Sequence, residues 1–239
     1  MSDAALSATD VSRTYGDVTA LDSVSLTVPA DSVTALIGPN GSGKTTLLEV
    51  LLGIEPAEGG TVDYADSDAL RQVGYLPQRP TFRPGDTVRE TAAFYADLVG
   101  DDPDRLLARV GLDEVPDRSV EGLSGGMTRL LGIAQALAGD PPVLALDEPA
   151  SGLDPAMSER IFDVIDSLAA EGRAVLLSSH ALALVERTAD QVVVIEGGSV
   201  AATGSPAELR ERTGGPLHET FTELLADPAA VVAGGGDGS

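Results

Sequence analysis

Short apolar runs alternate with stretches of helical spacing along most of this chain. Strands are predicted in the segments SVSLTV, VTALIG, QVGYLP, PVLAL, RAVLLSS and QVVVIE, and the glycine pair at 197–198 before SVAATG predicts a hairpin. The segment KTTLLEVLLG has apolar residues at helical spacing and stops at Gly53. Strands that alternate with helices predict βαβ units around a largely parallel sheet.

Capping residues mark the starts of several predicted helices. Thr87 and Glu90 form a capping box ahead of TAAFYADL. Three more starts place a capping residue before a proline at the first helical position: Asp102 before Pro103, Asp154 before Pro155 and Ser205 before Pro206. Residues 80–135 are predominantly helical in pattern, and we expect them to form a helical subdomain set into the α/β core.

The length of 239 residues suits one α/β domain with a full core. We expect this domain to cover residues 1–215. Residues 216–239 then form a tail, whose last residues, AGGGDGS, have the composition of a disordered segment.

The charge is strongly acidic, with 38 Asp and Glu against 15 Lys and Arg and a formal net charge of −23. Such a surface argues against nucleic acid as a partner, because it cannot neutralise phosphates. It also repels itself, and concentrated salt screens that repulsion. The acid excess and the near-absence of lysine favour a halophilic protein, and the alternative is an ordinary acidic surface.

Two classes of protein are excluded by what the sequence lacks. There is no cysteine, so neither a disulfide framework nor a thiolate metal site can form. No stretch reaches the roughly 18 apolar residues of a membrane span, and the start MSDAALSATD does not resemble a signal peptide. We therefore expect a cytoplasmic protein that can act at a membrane only through a partner.

The stretch GPNGSGKTT at 38–46 matches the phosphate-loop pattern and lies between a predicted strand and a predicted helix. Its glycines let backbone amides and the helix N-terminus face phosphate oxygens. Lys44 is then expected to reach the β and γ phosphates and Thr45 to bind Mg²⁺. Lys44 is also the only lysine in the chain. A flexible point charge fits a loop closed around phosphates, whereas the rigid fork of arginine does not.

Further polar residues follow predicted strands. Asp147 and Glu148 end PVLALDEP, and because ligands of open α/β sheets bind beyond the carboxyl ends of strands, both are expected beside the phosphate loop. Asp147 is expected to hold Mg²⁺ and Glu148 to orient or deprotonate the attacking water. The alternative is a solvated turn. Gln78 and His180 follow two other strands and are expected at the same edge, Gln78 near Mg²⁺ or the water and His180 near the γ phosphate.

The segment LSGGM at 123–127 has no role in a single site of this kind. It places Ser124 and two glycines before an apolar helix, which makes a second helix N-terminus suited to an anion. Two such termini, of which only one has a lysine, suggest that the second completes a nucleotide pocket in another copy.

These motifs, in this order, resemble the ATP-binding subunit of an ABC transporter over roughly residues 5–215. The resemblance identifies 38–46 as Walker A, Gln78 as the Q-loop, 123–127 as the signature, 144–148 as Walker B with catalytic Glu148, 151–154 as the D-loop and His180 as the switch histidine. It implies that Tyr15 stacks on adenine. The nucleotide-binding residues it implies are Tyr15, Gly38, Pro39, Asn40, Gly41, Ser42, Gly43, Lys44, Thr45, Thr46, Ser124, Gly125, Gly126 and Asp154. Catalysis falls to Glu148, His180, Gln78 and Lys44, and Mg²⁺ binding to Thr45, Gln78 and Asp147.

The resemblance also implies a fold and a set of partners. The fold is a P-loop NTPase with a mostly parallel core sheet, an N-terminal antiparallel β subdomain and an inserted helical subdomain. ATP and Mg²⁺ are the cofactors. Two subunits, expected to be identical, close head to tail around ATP and drive a membrane-spanning permease through the region near 78–95. The chain would then lie peripherally on the inner face of the cell membrane.

Met127 ends the signature, where glutamine is commonest in the family, and this departure narrows the resemblance to a subgroup. LSGGM is similar to ATPases of ABC-2-type exporters, and the stretches at 75–100 and 123–137 are similar to the copper-processing ATPase that matures nitrous-oxide reductase. Two other classes stay open: a soluble ABC ATPase of translation or DNA repair, and an ATP-gated switch that does not turn over.

Overall fold

Two sheets and seven α-helices form the part of the chain that this computed structural model describes, residues 4–213. The strands are β1 (Ala4–Tyr15), β2 (Val18–Pro29), β3 (Ser32–Ile37), β4 (Gly59–Tyr64), β5 (Val73–Leu76), β6 (Val143–Asp147), β7 (Ala174–Ser178), β8 (Gln191–Glu196) and β9 (Ser199–Gly204). The helices are α1 (Lys44–Leu51), α2 (Val88–Val99), α3 (Pro103–Val110), α4 (Gly125–Leu137), α5 (Pro155–Ala170), α6 (Leu182–Thr188) and α7 (Pro206–Thr213), and a 3₁₀ turn spans Val120–Gly122.

The larger sheet has six strands in the order β5-β6-β7-β3-β8-β9. Its first five strands are parallel, and β9 pairs antiparallel with β8 through the turn at Gly197 and Gly198. The smaller sheet is antiparallel, in the order β2-β1-β4. The expected fold class, a mostly parallel core sheet with an N-terminal antiparallel sheet, is confirmed.

Both faces of the six-stranded sheet are buried, which is why its strands are continuous apolar runs. Along β8, Val192 and Val194 face the core formed with α2 to α6, whereas Val193 and Ile195 face the core formed with α1 and the smaller sheet. Small residues bring α4 close to the edge strand. A Cβ on Gly74 of β5 would overlap the carbonyl oxygen of Ala136 in α4.

The predicted helix caps are confirmed. Thr87 and Glu90 form both halves of the capping box of α2, and the side chains of Asp102 and Asp154 accept from backbone amides at the starts of α3 and α5. Ser205 Oγ accepts from the backbone N–H of Glu208 at the start of α7. Residues 80–135 contain α2, α3 and most of α4. The extent of the subdomain stays a prediction, and the predicted tail at 216–239 lies outside the described residues.

The apolar pattern did not reveal β1, β4 or α6. Strand β1 pairs with both neighbours through several register shifts, and Asp10 within it has φ 50°. Such irregularities break the alternation on which a strand prediction depends. No helix within residues 4–213 is long and apolar enough to cross a membrane.

Candidate functional site

The loop at 38–43 joins β3 to α1 and is closely confined. A Cβ on Gly38 would overlap the carbonyl oxygen of Ile195, so that position cannot take a larger residue. Gly43 has φ +103°, and a Cβ there would lie 2.5 Å from the carbonyl oxygen of Ala20. The sequence therefore requires glycine at both ends of the loop, where the chain turns into α1.

Lys44 is the first residue of α1, and its side chain folds back over the loop. The Nζ group donates to the carbonyl oxygens of Gly38 at 2.8 Å and Pro39 at 3.0 Å. The residue is only 7% exposed, and burial lowers the pKa of its ammonium, against the opposing effect of Glu148 and Asp147. The site thus holds a desolvated cation at the mouth of a loop of backbone amides.

Three hydroxyl and carboxylate groups are linked across α1, β6 and β7. Thr45 Oγ1 lies 3.2 Å from Oδ2 and 3.4 Å from Oδ1 of Asp147. Ser178 Oγ donates to Asp147 Oδ1 at 2.6 Å. Hydroxyl and carboxylate oxygens are the ligands that Mg²⁺ prefers, and Mg²⁺ is commonly held by one carboxylate together with substrate phosphates. Thr45 and Asp147 therefore fit a magnesium ion shared with a phosphate. Residues 4–213 contain no cluster of three His, Asp or Glu side chains that could hold a metal by themselves.

Glu148 and His180 face each other beyond the ends of β6 and β7. His180 Nε2 lies 3.1 Å from Glu148 Oε1. Burial raises the pKa of the Glu148 carboxyl, with the neighbouring Asp147 adding to the rise and His180 and Lys44 opposing it. A carboxyl whose pKa is raised is better suited to accept a proton than an ordinary surface glutamate.

Lys44, Thr45, Glu148 and His180 line one open cleft of about 460 Å³. Besides the loop, it takes in Gln78, Glu148 and His180, so polar residues from three strand ends meet as expected. The residues of the predicted set that line it are Asn40, Gly41, Gly43, Lys44, Thr45, Thr46, Gln78, Glu148 and His180. Gly38, Pro39, Ser42 and Asp147 belong to the same loop and strand end without lining the cleft.

A second group of predicted residues lies elsewhere. Ser124 is the N-cap of α4, where its Oγ accepts from the backbone N–H of Met127 at 3.2 Å. A Cβ on Gly125 would lie 3.3 Å from Leu153, and one on Gly126 would overlap the Met157 side chain. The signature segment therefore packs beside the start of α5, where Asp154 is the N-cap. None of Ser124, Gly125, Gly126 and Asp154 lines the cleft.

Tyr15 lies at the end of β1, in the hairpin with β2, and is 43% exposed. The guanidinium of Arg13 stacks on its ring, 4.8 Å from the centroid, and is itself held by Glu55 and Glu58. The ring does not line the cleft, but Val18, its partner across the hairpin, does.

Sequence reasoning missed several residues of the cleft. Val18, Thr19 and Ala20 of β2 form one wall, and Ser151, which was expected in the D-loop but not among the nucleotide-binding residues, contributes from the loop after Glu148. No polar motif marks the wall formed by β2. Ser178, which links Asp147 to Glu148, was detectable only as a serine ending an apolar strand.

Comparisons with known proteins agree with this geometry. The family described as "ABC transporter" matches residues 21–151. The chain is 36% identical over 223 residues to the Nod factor export ATP-binding protein I of Paraburkholderia xenovorans (strain LB400), covering 87% of this chain and 73% of that protein. It is 37% identical over 216 residues to the uncharacterized ABC transporter ATP-binding protein YxlF of Bacillus subtilis (strain 168), covering 87% and 73% respectively.

A solved structure described as the ATP-binding subunit of an ABC transporter superposes with a TM-score of 0.80 at 28% identity, covering 92% of this chain and 99% of that one. Proteins of this kind bind ATP, normally with Mg²⁺, and are ATPases that work with membrane partners. The sequence matches and the shared fold lead to one conclusion: the chain is an ATP-binding domain of the ABC transporter family.

Proposed function

We propose that this chain is the Mg²⁺-ATP-hydrolysing subunit of a membrane exporter, and that two copies close around ATP. The observation that carries the proposal is the cleft itself. The phosphate loop, Thr45 and the Glu148–His180 pair come from separate elements and line one space, and Asp147 lies beside Thr45, from whose hydroxyl it accepts a hydrogen bond. Loop, metal ligands and a buried carboxyl together are what phosphoryl transfer to water requires.

The loop would bind the β and γ phosphates through its backbone amides and the N-terminus of α1. The Nζ group of Lys44 now donates to two carbonyls of the loop. Phosphate oxygens would replace these carbonyls as acceptors, so that the lysine moves little between the free and bound states. This local positive charge allows a protein with a net charge of −23 to bind a polyanion.

Thr45, Asp147 and Gln78 would hold the magnesium ion, Asp147 through water. When bound, the ion neutralises charge on the phosphates and so stabilises the transition state. Glu148 would orient the attacking water and accept its proton, with His180 directed at the γ phosphate. Their separation of 3.1 Å supports a joint role at the same phosphate.

The signature residues would act on the nucleotide of a second copy. Ser124 and Gly125 are exposed at the N-terminus of α4 and do not line the cleft of their own chain. A head-to-tail pair would place this terminus over the γ phosphate held by the other loop, with Asp154 and the 151–154 loop at the interface and Tyr15 stacked on adenine.

A permease would dock on the apolar face of α2. Phe94 and Leu98, one helical turn apart, are 60% and 68% exposed. Phe82 and Tyr95 help to form a hollow of about 130 Å³ beside them. This surface follows Gln78 along the chain, so a displacement of the Q-loop could reach it directly, and it would place the chain at the inner face of the membrane.

The exporter assignment rests on the relatives, several of which are named as export ATP-binding proteins. The signature LSGGM, which is similar to that of ABC-2-type exporters, also supports it. The narrower similarity to a copper-processing ATPase stays a prediction.

We also propose that the protein works in concentrated salt. Exposed acids such as Asp102, Asp113 and Asp117 lie at the start of α3 and in the loop after it. Salt would screen their repulsion and that between two copies. Stability and dimerisation should therefore both increase from dilute buffer to molar KCl, and unchanged values would contradict this part of the proposal.

The experiment that tests the proposed function is ATP hydrolysis by the purified full chain in molar KCl with Mg²⁺, beside Glu148→Gln. The wild type should hydrolyse ATP, and the variant should bind ATP, lose most hydrolysis and accumulate as an ATP-bound dimer seen by light scattering. Nucleotide binding by the wild type with neither hydrolysis nor a trapped dimer in the variant would favour the switch module instead.

A further inference from the structure

Ser178 is the last residue of β7, is fully buried and pairs with Asp147 across the parallel strands. Its hydroxyl donates to Asp147 Oδ1 at 2.6 Å and accepts from the backbone N–H of Glu148 at 2.9 Å. A serine hydroxyl has a single proton to donate. The proton is therefore donated to the Asp147 carboxylate, the oxygen accepts from Glu148, and the two bonds together fix the direction of the hydroxyl.

The first of these bonds orients a carboxylate. Oδ1 of Asp147 is held by Ser178, and Oδ2 is the oxygen nearer to Thr45, at 3.2 Å. Without Ser178 the carboxylate could rotate about its last torsion angle, because that torsion is broad. The bond thus keeps Oδ2 turned towards Thr45.

The second bond holds a strained backbone. Glu148 has φ +47°, in the left-handed region that is strained for an L residue other than glycine. Its N–H is tied to Ser178, and the turn after it is closed by the bond from the N–H of Ser151 to the Glu148 carbonyl. The direction in which the Glu148 carboxyl leaves the backbone depends on this conformation.

We infer that Ser178 is a positioning residue for hydrolysis. Its single hydroxyl orients both the aspartate that would hold Mg²⁺ and the glutamate that would orient water. The inference rests on the proposed function of Asp147 and Glu148. Ser178 acts only through these two residues, and none of the motifs that define the resemblance includes it.

Two substitutions of equal size separate the hydroxyl from its volume. Ser178→Thr keeps the hydroxyl and adds a methyl group. Ser178→Val has the shape of that threonine but no hydroxyl. Residues that orient metal ligands typically contribute 10-fold to 100-fold to metal affinity or activity. We expect Ser178→Val to lower kcat by about 10-fold to 100-fold while KM for ATP changes less than about twofold, and Ser178→Thr to keep most of kcat.

A binding measurement supplies a second readout. Titration calorimetry with a non-hydrolysable ATP analogue, at a series of Mg²⁺ concentrations, gives the Mg²⁺ concentration for half-maximal tight binding. Ser178→Val should raise this concentration about 10-fold and leave metal-free binding of the analogue unchanged. Ser178→Thr should match the wild type.

Ser32→Ala is the matched control. Ser32 is also a buried serine of the six-stranded sheet, but its Oγ donates to the Pro29 carbonyl, at 2.8 Å, and that bond involves neither Asp147 nor Glu148. Its loss should lower stability to urea without changing kcat or the Mg²⁺ requirement.

Equal losses in Ser178→Thr and Ser178→Val would overturn the inference, since the hydroxyl would then be irrelevant. A normal kcat and Mg²⁺ requirement in a folded Ser178→Val would overturn it as well. If the wild type binds the Mg²⁺ complex but never hydrolyses ATP, the proposed function fails, and the Mg²⁺ titration by itself then decides whether Ser178 positions Asp147.

Discussion

Two glycine-rich segments begin helices in this chain, at α1 and at α4, and their N-termini are built in opposite ways. The N-cap of α1 is Gly43, in a left-handed conformation, and no side chain caps it. The N-cap of α4 is Ser124, in an extended conformation, and its own hydroxyl caps the helix. Lys44 lies inside the first segment, whereas residues 125–128 of the second include no basic residue.

The difference teaches what each terminus can do by itself. The amides at the start of α1 have no competing side chain, and a cation lies beside them, so this terminus can bind phosphate within one chain. The terminus of α4 is satisfied in the single chain by Ser124, as in an ordinary capped helix. We infer that it binds phosphate only when a second copy presents one. Separate substitutions at the two termini can test this division.

The largest effect is expected at Lys44. Lys44→Ala should lower kcat by about 10²-fold or more, because it removes a charge that stabilises the transferred phosphate. Lys44→Arg should be almost as damaging, since the lysine is 7% exposed and its Nζ fits between the carbonyls of Gly38 and Pro39. Steady-state hydrolysis in molar KCl measures both.

Arg187→Ala is the control for charge loss, because Arg187 forms an exposed ion pair with Asp163, which contributes little to stability. It should hydrolyse ATP at the wild-type rate. A Lys44→Arg variant with near-normal activity would break the explanation for the single lysine of this chain.

Substitution of a glycine should destabilise the protein more at the first terminus than at the second. A Cβ on Gly43 would meet the Ala20 backbone at 2.5 Å, and its φ of +103° is strained for any other residue. Gly43→Ala should therefore lower the free energy of unfolding by about 2 kcal/mol or more. A Cβ on Gly126 would overlap the Met157 side chain at its Cγ, but that side chain can change rotamer whereas the Ala20 backbone cannot give way, so Gly126→Ala should cost less, about 1–2 kcal/mol. Urea unfolding of the nucleotide-free protein measures both, and a reversed order would contradict the geometry of the two loops.

Much of the fold could be predicted because the six-stranded sheet is buried on both faces. Its apolar runs and the caps at Thr87, Asp102 and Asp154 depend only on neighbouring residues, and each appears where expected. Strand β1 could not be predicted, because its bulges and partly exposed face break the period of two. Its pairing with β2 and β4 depends on residues far along the chain.

The site divides in the same way. The carboxyl ends of parallel strands meet at one edge, which placed Gln78, Glu148 and His180 together in advance. The bond from Ser178 to Asp147 depends on the register of β6 against β7, and no motif encodes that register. The wall formed by Val18 to Ala20 depends on how the two sheets pack, which a pattern along one strand cannot show.

Ser124 offers a direct test of the second terminus. Ser124→Ala should lower the rate of hydrolysis on the order of tenfold. One hydrogen bond to a charged group contributes about 1.5 kcal/mol, which corresponds to that factor. It should leave the affinity of the single chain for ATP unchanged, and lost capping should lower stability by about 1 kcal/mol. Hydrolysis, and ATP binding at concentrations too low for dimers, are the measurements.

Asp102→Ala is the control, because the Asp102 side chain also caps a helix, α3, and does not line the cleft. It should lose similar stability and keep hydrolysis. If Ser124→Ala instead weakens binding to the single chain as much as Lys44→Ala does, both termini act on one nucleotide and the proposed division is wrong.

The smallest effect concerns pH. Burial raises the pKa of Glu148 above its ordinary value of 4.5, so the folded protein holds this proton more tightly than the unfolded chain. The stability associated with the protonated carboxyl is fully present below pH 4.5 and is lost as pH rises through the folded-state pKa.

Glu148→Gln should remove this loss of stability at higher pH. The variant without nucleotide should therefore be more stable than the wild type at pH 7 to 8, and the difference should shrink towards pH 4.5. The cost of Ser124→Ala should not change over this range, because its cap contains no titrating group. Urea unfolding at pH 5 and pH 8 compares the two variants. If Glu148→Gln changes the free energy of unfolding equally at pH 5 and pH 8, the cleft beside α1 does not hold a buried charge at Glu148. The proposed difference between this cleft and the terminus of α4 would then be wrong.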